Sequence, residues 1–459
     1  MSDIQFHANL ESPSDMSSRS EAPAFAHRAY AILTNDDEGR ICKDIPENAC
    51  HDQPGNFMRH VVSLGATKTA DGLADAKLVL AWLMGALGAP AYLIGLLVPV
   101  REAGALLPQL AIAGAIRARP IRKWIWAGGS VIQGLAVMGI GLSALFFEGA
   151  TAGWVIVGLL SVAALARGAC SVSYKDVLGK TVSKSTRGTA TGTAGSISAV
   201  LVLAFGAALA FGILPRTVAS IAAVLTLAGG LWLFAAAVFS TLTEEPGATE
   251  GGGNALAVAR EHFALLGQDA QLQRFIVTRA LLIATALSPP YLLAVAGGSS
   301  GISAAAGSLG PFVIASALAS ILSAYVWGRL SDRSSRQVLI AAALLASGTL
   351  LVSALVAMLA PGWMALPLVP AILLFLVMVA HQGVRLGRST HVVDMAGAER
   401  RASYTALSNT IIGLVLVAGG LFGVLAHWLG AAAVLLTFAG TALLAAFVGR
   451  GLEEVQQEG

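Results

Sequence analysis

The chain has 459 residues, 56% of them hydrophobic and only 12% charged, against roughly 25% charged residues in a soluble globular domain. So few polar side chains cannot cover a water-soluble fold, and a net charge of +3 gives no basis for nucleic-acid binding. The natural solvent is a lipid bilayer, and an all-α integral membrane fold is expected because helices satisfy their own backbone there.

In chain order, residues 1–70 are predicted as a cytoplasmic N-terminal tail, partly disordered. Pro13, Pro23, Pro46 and Pro54 break this region, and Asp36, Asp37 and Glu38 form an acidic run. It lacks the basic start and early apolar stretch of a signal peptide. Cys42, Cys50 and His51 are too widely spaced for a metal site and lack a fourth ligand. No metal and no cofactor are expected, and with Cys170 the cysteines make no disulfide framework.

From residue 72, apolar runs recur at about the 20 residues needed to cross a bilayer core of about 30 Å. Six of them (72–94, 97–116, 121–146, 152–172, 188–214 and 218–239) make a first bundle over 71–240. A polar linker follows at 241–273, with a Gly-rich spacer at 250–254. Six more (275–295, 304–327, 338–359, 364–384, 403–425 and 428–448) make a second bundle over 274–450, and 451–459 form a short tail. The expected fold is twelve transmembrane helices in two six-helix bundles.

Lys and Arg crowd every second link: Arg117, Arg119, Arg122 and Lys123; Lys175, Lys180, Lys184 and Arg187; Arg329, Arg333 and Arg336; Arg385, Arg388, Arg400 and Arg401. The alternate links carry little or no charge. The positive-inside rule makes the basic links cytoplasmic, and an even number of crossings puts both termini there too, in a cell inner membrane.

The two bundles align at a constant offset of 214. Gly114 falls on Gly328, Arg119 on Arg333, Arg122 on Arg336, Arg167 on His381, Arg187 on Arg401 and Thr191 on Thr405. A register held over this distance marks an internal repeat. Parallel six-helix repeats are a transporter architecture with the substrate site between the halves, near the midplane.

The second-half link reads Gly328-Arg329-Leu330-Ser331-Asp332-Arg333-Ser334-Ser335-Arg336-Gln337. It resembles the G-x-L-a-D-r-x-G-r-r signature of the major facilitator superfamily, with Ser335 and Gln337 as departures. In the first-half link, Gly114, Arg119, Arg122 and Lys123 fit, while Ala118 stands where the aspartate belongs. The stretch 97–109 is similar to a poorly characterised bacterial branch of the superfamily. The resemblance implies that Gly328, Asp332, Arg333, Arg336, Gly114, Arg119 and Arg122 latch the outward-facing state, with Asp332 carrying the latch because Ala118 replaces its first-half counterpart. Glycine would allow close helix approach, and Asp332 would face a helix N-terminus of the other half.

Charges inside a membrane span are functional candidates by default. Arg101 and Glu102 are expected at or within the far membrane face, with Gln109 seven residues on along the same helical face. These three are read as the cavity's polar lining, with Glu102 the candidate for proton coupling; interfacial snorkelling is the alternative. Arg167 could hold an anionic substrate, neutralise Asp176 or snorkel. His381 could titrate or simply pack. Pro289-Pro290 interrupts the seventh span, beside Tyr291, as a gate or a plain kink.

Neither a phosphate-binding loop nor a hydrolase motif is present, so no enzyme activity is expected. The expected function is secondary active transport of a small solute by alternating access, proton-coupled, by a monomer in the bilayer. Largely apolar cavity walls would suit export of an amphipathic compound; facilitated diffusion is an open alternative. So is a receptor-like or accessory role acting through the N-terminal tail.

Overall fold

The computed structural model describes residues 24–34, 45, 47–247, 249, 266–267, 269–297, 306–396 and 400–456. The acidic run 36–38, Cys42 and the Gly-rich stretch 250–254 lie outside the described residues. All regular structure among the described residues is helical. The first half opens with α1 (Ala24–Thr34) and α2 (Glu47–Leu73), followed by α3 (Val79–Ala86), α4 (Ala91–Leu106) and α5 (Pro108–Arg117). Four long helices complete it: α6 (Lys123–Ser143), α7 (Gly149–Thr181), α8 (Lys184–Ala210) and α9 (Val218–Ser240).

The second half opens with a segmented helix: α10 (Ala270–Leu281), α11 (Ala284–Leu287) and α12 (Pro289–Ala296). Then come α13 (Ala306–Arg333), α14 (Ser335–Leu359), the single turn α15 (Pro361–Met364) and α16 (Leu368–Met395). The chain ends with α17 (Arg401–Gly419), α18 (Leu421–Leu429) and α19 (Ala431–Gly449). Among the described residues, ten stretches are long and apolar enough to cross a membrane: α6 to α9, α13, α14, α16, α19, and the combined runs 270–296 and 403–429. Apolar side chains such as Leu135, Leu201, Leu322 and Phe447 point outward, exposed, as helices facing lipid require. The chain is a multi-pass membrane protein.

The halves repeat each other in packing. In the first, α6 packs on α7 and α9, and α4 on α7; in the second, α14 packs on α16 and α19, and α13 on α16. Small residues let these helices approach. A side chain at Gly134 would meet the Gly229 carbonyl, and one at Gly383 the Trp327 ring.

The N-terminal region differs from the sequence expectation. Residues 47–70, expected as tail, belong to α2, which packs on α8 and α9. Its polar side chains are buried because they serve the ends of neighbouring helices. Asn56 Nδ2 donates to the Thr243 carbonyl (2.9 Å) and Asn56 Oδ1 accepts from Thr243 N (3.0 Å). Gln53 Oε1 accepts from Ser183 N (3.0 Å), and His60 Nε2 meets Thr181 Oγ1 at 2.8 Å. Tyr30 of α1 closes the cluster edge-on against Phe57. Cys50 is half-buried on α2.

The first two crossings shift accordingly. Gly88 has φ +74°, a left-handed value that glycine adopts without strain, and Pro90 precedes α4 in extended geometry. The chain therefore turns at 87–90, and Gly149 N ties the turn down on the Leu87 carbonyl (2.7 Å). Arg101 and Glu102 thus lie about 15 Å along α4 from its start, well inside and away from the far face. At that far end, opposite the basic links, the halves touch. A Cβ on Gly95 would collide with Gly423, and one on Gly310 with the backbone of Ala210.

Candidate functional site

The first helix of each half is interrupted at matching depth. Between α2 and α3, Asp75 Oδ1 accepts hydrogen bonds from Lys77 N (3.0 Å) and Leu78 N (2.9 Å). Asp favours this local capping over helix continuation. In the second half, 214 residues on, stands Pro289, whose missing N–H helps segment the α10–α12 run. Both breaks bring side chains and backbone toward the space between the bundles.

That space is a cavity of about 340 Å³ with walls from both halves. From the first half come Asp71, Asp75, Lys77, Arg101, Glu102 and Arg167. Asp71 is the hub. Its carboxylate accepts from Arg101 Nη2 (2.6 Å) and from Arg167 Nη1 (2.5 and 2.6 Å to its two oxygens). These three charge-assisted bonds fix both guanidinium groups. Glu102 has neither a hydrogen bond nor an ion pair among the described residues.

The second half contributes Arg279, Thr285, His381, Arg385 and Arg388. Lys77 Nζ crosses from the first half to His381 Nε2 (3.2 Å), and His381 Nδ1 lies 3.1 Å from Thr285 Oγ1. An ammonium has no lone pair, so Nε2 must accept and Nδ1 carries the proton, given to Thr285. Arg279 is buried; its Nη1 donates to Ser408 Oγ (2.6 Å) and its Nη2 to Asn409 Oδ1 (3.2 Å), while its Nε has no partner. Arg385 is exposed, so the cavity reaches solvent on that side.

Four of the six residues expected in the cavity line it: Arg101, Glu102, Arg167 and His381. Gln109 does not. Its amide turns back to the Ala105 carbonyl (2.9 Å), which satisfies it within its own helix. Tyr291 does not either; it is buried edge-on to Phe438 and against Gly95, at the closed end. Arg167 pairs with Asp71, and Asp176 is taken instead by Arg122 and by Lys180 (2.8 Å). The cavity is more charged than the expected apolar walls: six cations and three carboxylates line it beside apolar residues such as Val98, Leu282 and Ile412. Asp71, Thr285, Arg279 and Arg388 were missed as site residues, although a clue existed. Asp71 and Thr285 stand at the same offset of 214 that relates Arg167 to His381.

At the basic end, the motif residues make two separate clusters. Arg122 pairs with Asp176, and backbone N–H groups of Arg122 and Lys123 donate to Glu244 at the head of the linker (3.0 and 2.7 Å). Lys180 also reaches Glu244 (3.0 Å). In the second half, Arg336 Nη1 donates to the Leu452 carbonyl (3.2 Å) and Nε lies 3.7 Å from Glu454. Arg119 and Arg333 are exposed. Asp332 is exposed and makes no hydrogen bond or ion pair among the described residues, so its expected contact with a helix N-terminus is not formed here. Gly328 faces open space, not a close helix. Gly114 is half-buried on α5.

No protein-family model and no curated protein matches the sequence. Solved structures do. A crystal structure of the nucleoside transporter NupG superposes with a TM-score of 0.61 at 13% identity, covering 86% of this chain and 98% of that one. A D-xylose-proton symporter superposes at 0.64 and 13%, covering 87% and 98%. The inward-open xylose transporter XylE from E. coli gives 0.59 and 12%, covering 87% and 97%. The chain shares the fold of these transporters. Each of these neighbours spans nearly its whole length on this chain, so the likeness covers both bundles and the cavity between them.

Proposed function

We propose that the chain is a secondary active transporter that moves a small solute by alternating access, with protons as the coupling ion. The interrupted runs 47–86 and 91–117 supply two crossings beside the ten apolar ones, twelve in all. With an even number, both termini lie on the cytoplasmic side, where the basic links gather. Each chain holds a complete cavity, so a monomer suffices. The observation that carries the reading is the cavity itself: both bundles build it, glycine contacts close it at one end, and Arg385 opens it to solvent at the other. Rocking the bundles about it would exchange the open end.

Glu102 is the coupling candidate because it is a cavity carboxylate free of hydrogen bonds, surrounded by Lys77, Arg101, Arg167 and Arg388. Protonating it changes the charge balance of the cavity. Purified protein reconstituted into liposomes tests this under an imposed pH gradient. We expect gradient-driven accumulation of substrate in the native protein. Glu102→Gln should keep solute exchange at zero gradient and lose the pH-driven part. Unchanged pH dependence in the variant would move coupling away from Glu102, and no flux of any solute under any gradient would end the transporter reading.

A further inference from the structure

We infer that the solute bound in this cavity is a small organic anion whose carboxylate or phosphate oxygens engage Arg279, Arg385 and Arg388. Binding is inferred from the cavity alone; that the anion is also carried rests on the transporter reading.

Charge compensation differs between the two walls. On the first-half wall Lys77, Arg101 and Arg167 face Asp71, Asp75 and Glu102, three cations against three carboxylates. The second-half wall carries Arg279, Arg385 and Arg388 with no carboxylate among its described lining residues. The cavity therefore holds three formal positive charges in excess. Arg385 is exposed to water, but Arg388 is half-buried and Arg279 buried, and unpaired charge away from bulk water is unfavourable, so these two favour a counter-charge from outside.

The arginines are also placed to share one ligand. Arg385 and Arg388 stand three apart on α16, with His381 four residues earlier, so all three occupy one helical face. Like charges at this spacing repel, and an oxyanion between them removes the repulsion. Arg279 comes from α10, nine residues into its helix, with only 6% of its surface exposed. Positive-inside placement accounts for an exposed arginine such as Arg385 but not for one buried at that depth. Ser408 and Asn409 orient the Arg279 guanidinium through neutral oxygens and the Phe275 ring lies 5.7 Å from it, so no described carboxylate balances its charge and its Nε–H is unpartnered. Guanidinium groups recognise carboxylate and phosphate through paired N–H bonds. A volume of about 340 Å³ sits at the small end of ligand pockets, which favours a compact solute.

The test is a thermal-melt titration of the full-length purified protein at constant ionic strength. Succinate, citrate, inorganic phosphate and glycerol 3-phosphate are compared with xylose, uridine and glycerol. At least one anion should raise the melting temperature with a saturating dose response, and the carboxylate and phosphate arms separate the two oxyanion types. Arg279→Gln and Arg388→Gln should each weaken that anion's apparent affinity at least about tenfold. Arg279→Lys, which keeps the charge and loses the fork, should fall between. Arg450→Gln, at the end of α19, should leave the affinity unchanged and shows that removing an arginine is not enough.

Stabilisation by neutral solutes and by none of the anions overturns the inference. So does an anion effect that persists in both glutamine variants. Liposome flux with the same solutes separates this from the transporter reading. An anion that binds and never crosses keeps the site and sinks transport; a neutral solute that crosses with no anion binding keeps transport and sinks the anion.

Discussion

Arg167 on α7 reaches back to Asp71 on α2, and 214 residues later His381 on α16 reaches back to Thr285 on α11. In each half the fourth helix is thus tethered to the first beside that helix's interruption. In the first half the tether is an ion pair shared with Arg101; in the second it is a neutral imidazole bonded to a hydroxyl. Ancestral repeat symmetry explains the shared position and says nothing about charge. The comparison teaches that the tether is what the fold needs, while its charge is free to differ between halves and so to shape the cavity.

The sharpest way to break this comparison is to remove the acid. Asp71→Asn leaves Arg101 and Arg167 without a counter-charge. Removing one partner of a fully buried ion pair costs about 3–5 kcal/mol. Asp71 and Arg167 keep 22% and 34% of their side-chain surface, so we expect about 2–3 kcal/mol, read as a lower melting temperature in detergent. Thr285→Val removes the equivalent partner in the other half and should cost only about 1 kcal/mol. Equal losses would mean that charge matters no more than the tether. The two glycine crossings at the closed end sharpen the symmetry of the halves differently. Gly95→Ala and Gly310→Ala should each disfavour that closure by about 1–3 kcal/mol. Greater labelling of cysteines placed at the far end would show it; an effect at one crossing alone would make the closure asymmetric.

The smallest expected effect concerns Asp269, just before α10. Burial pushes its carboxyl up, but the Tyr404 hydroxyl and the backbone N–H groups of Leu272 and Gln271 outweigh this and hold it below the usual carboxylate range. A depressed folded-state value means that Asp269 stabilises the fold above its unfolded pKa of about 3.9. The contribution fades as pH falls through the folded value. Asp269→Asn should lose up to about 1 kcal/mol at pH 7 and less at pH 3, by melting temperature. The repeat lacks this cap: position 55, at the offset of 214, is a glycine.

Much of this was legible before any coordinates. The apolar runs from α6 onward, the constant offset and the candidacy of Arg101, Glu102, Arg167 and His381, which line the cavity, all follow from hydropathy and residue type. The start of the chain was not legible. Gln53, Asn56 and His60 give α2 the composition of a tail, yet each is buried by bonding the end of another helix, which a hydropathy pattern cannot express. Placing the first crossing at 72 then left Asp71 just outside it. Arg279 was passed over although a lone charge inside an apolar run is a strong pointer to a site. Gln109 and Tyr291 were misplaced because helical spacing fixes a face but not which neighbour it meets. For the motif, Asp332 and Gly328 show that matching residue types do not set the contacts of a given conformation.

The uneven charge of the cavity has an electrical consequence. If the proposed alternating access turns the cavity from one aqueous phase to the other, its wall charge would cross the membrane field although the side chains barely move. Each elementary charge so transferred is worth roughly 2.3 kcal/mol per 100 mV. An excess of three would make reorientation of the empty protein strongly voltage-sensitive, and a bound dianion would cut the transferred charge to one. Membrane potential would then act on the unloaded return step far more than on the loaded one, so polarising the membrane would set how fast the protein cycles without changing how tightly it binds.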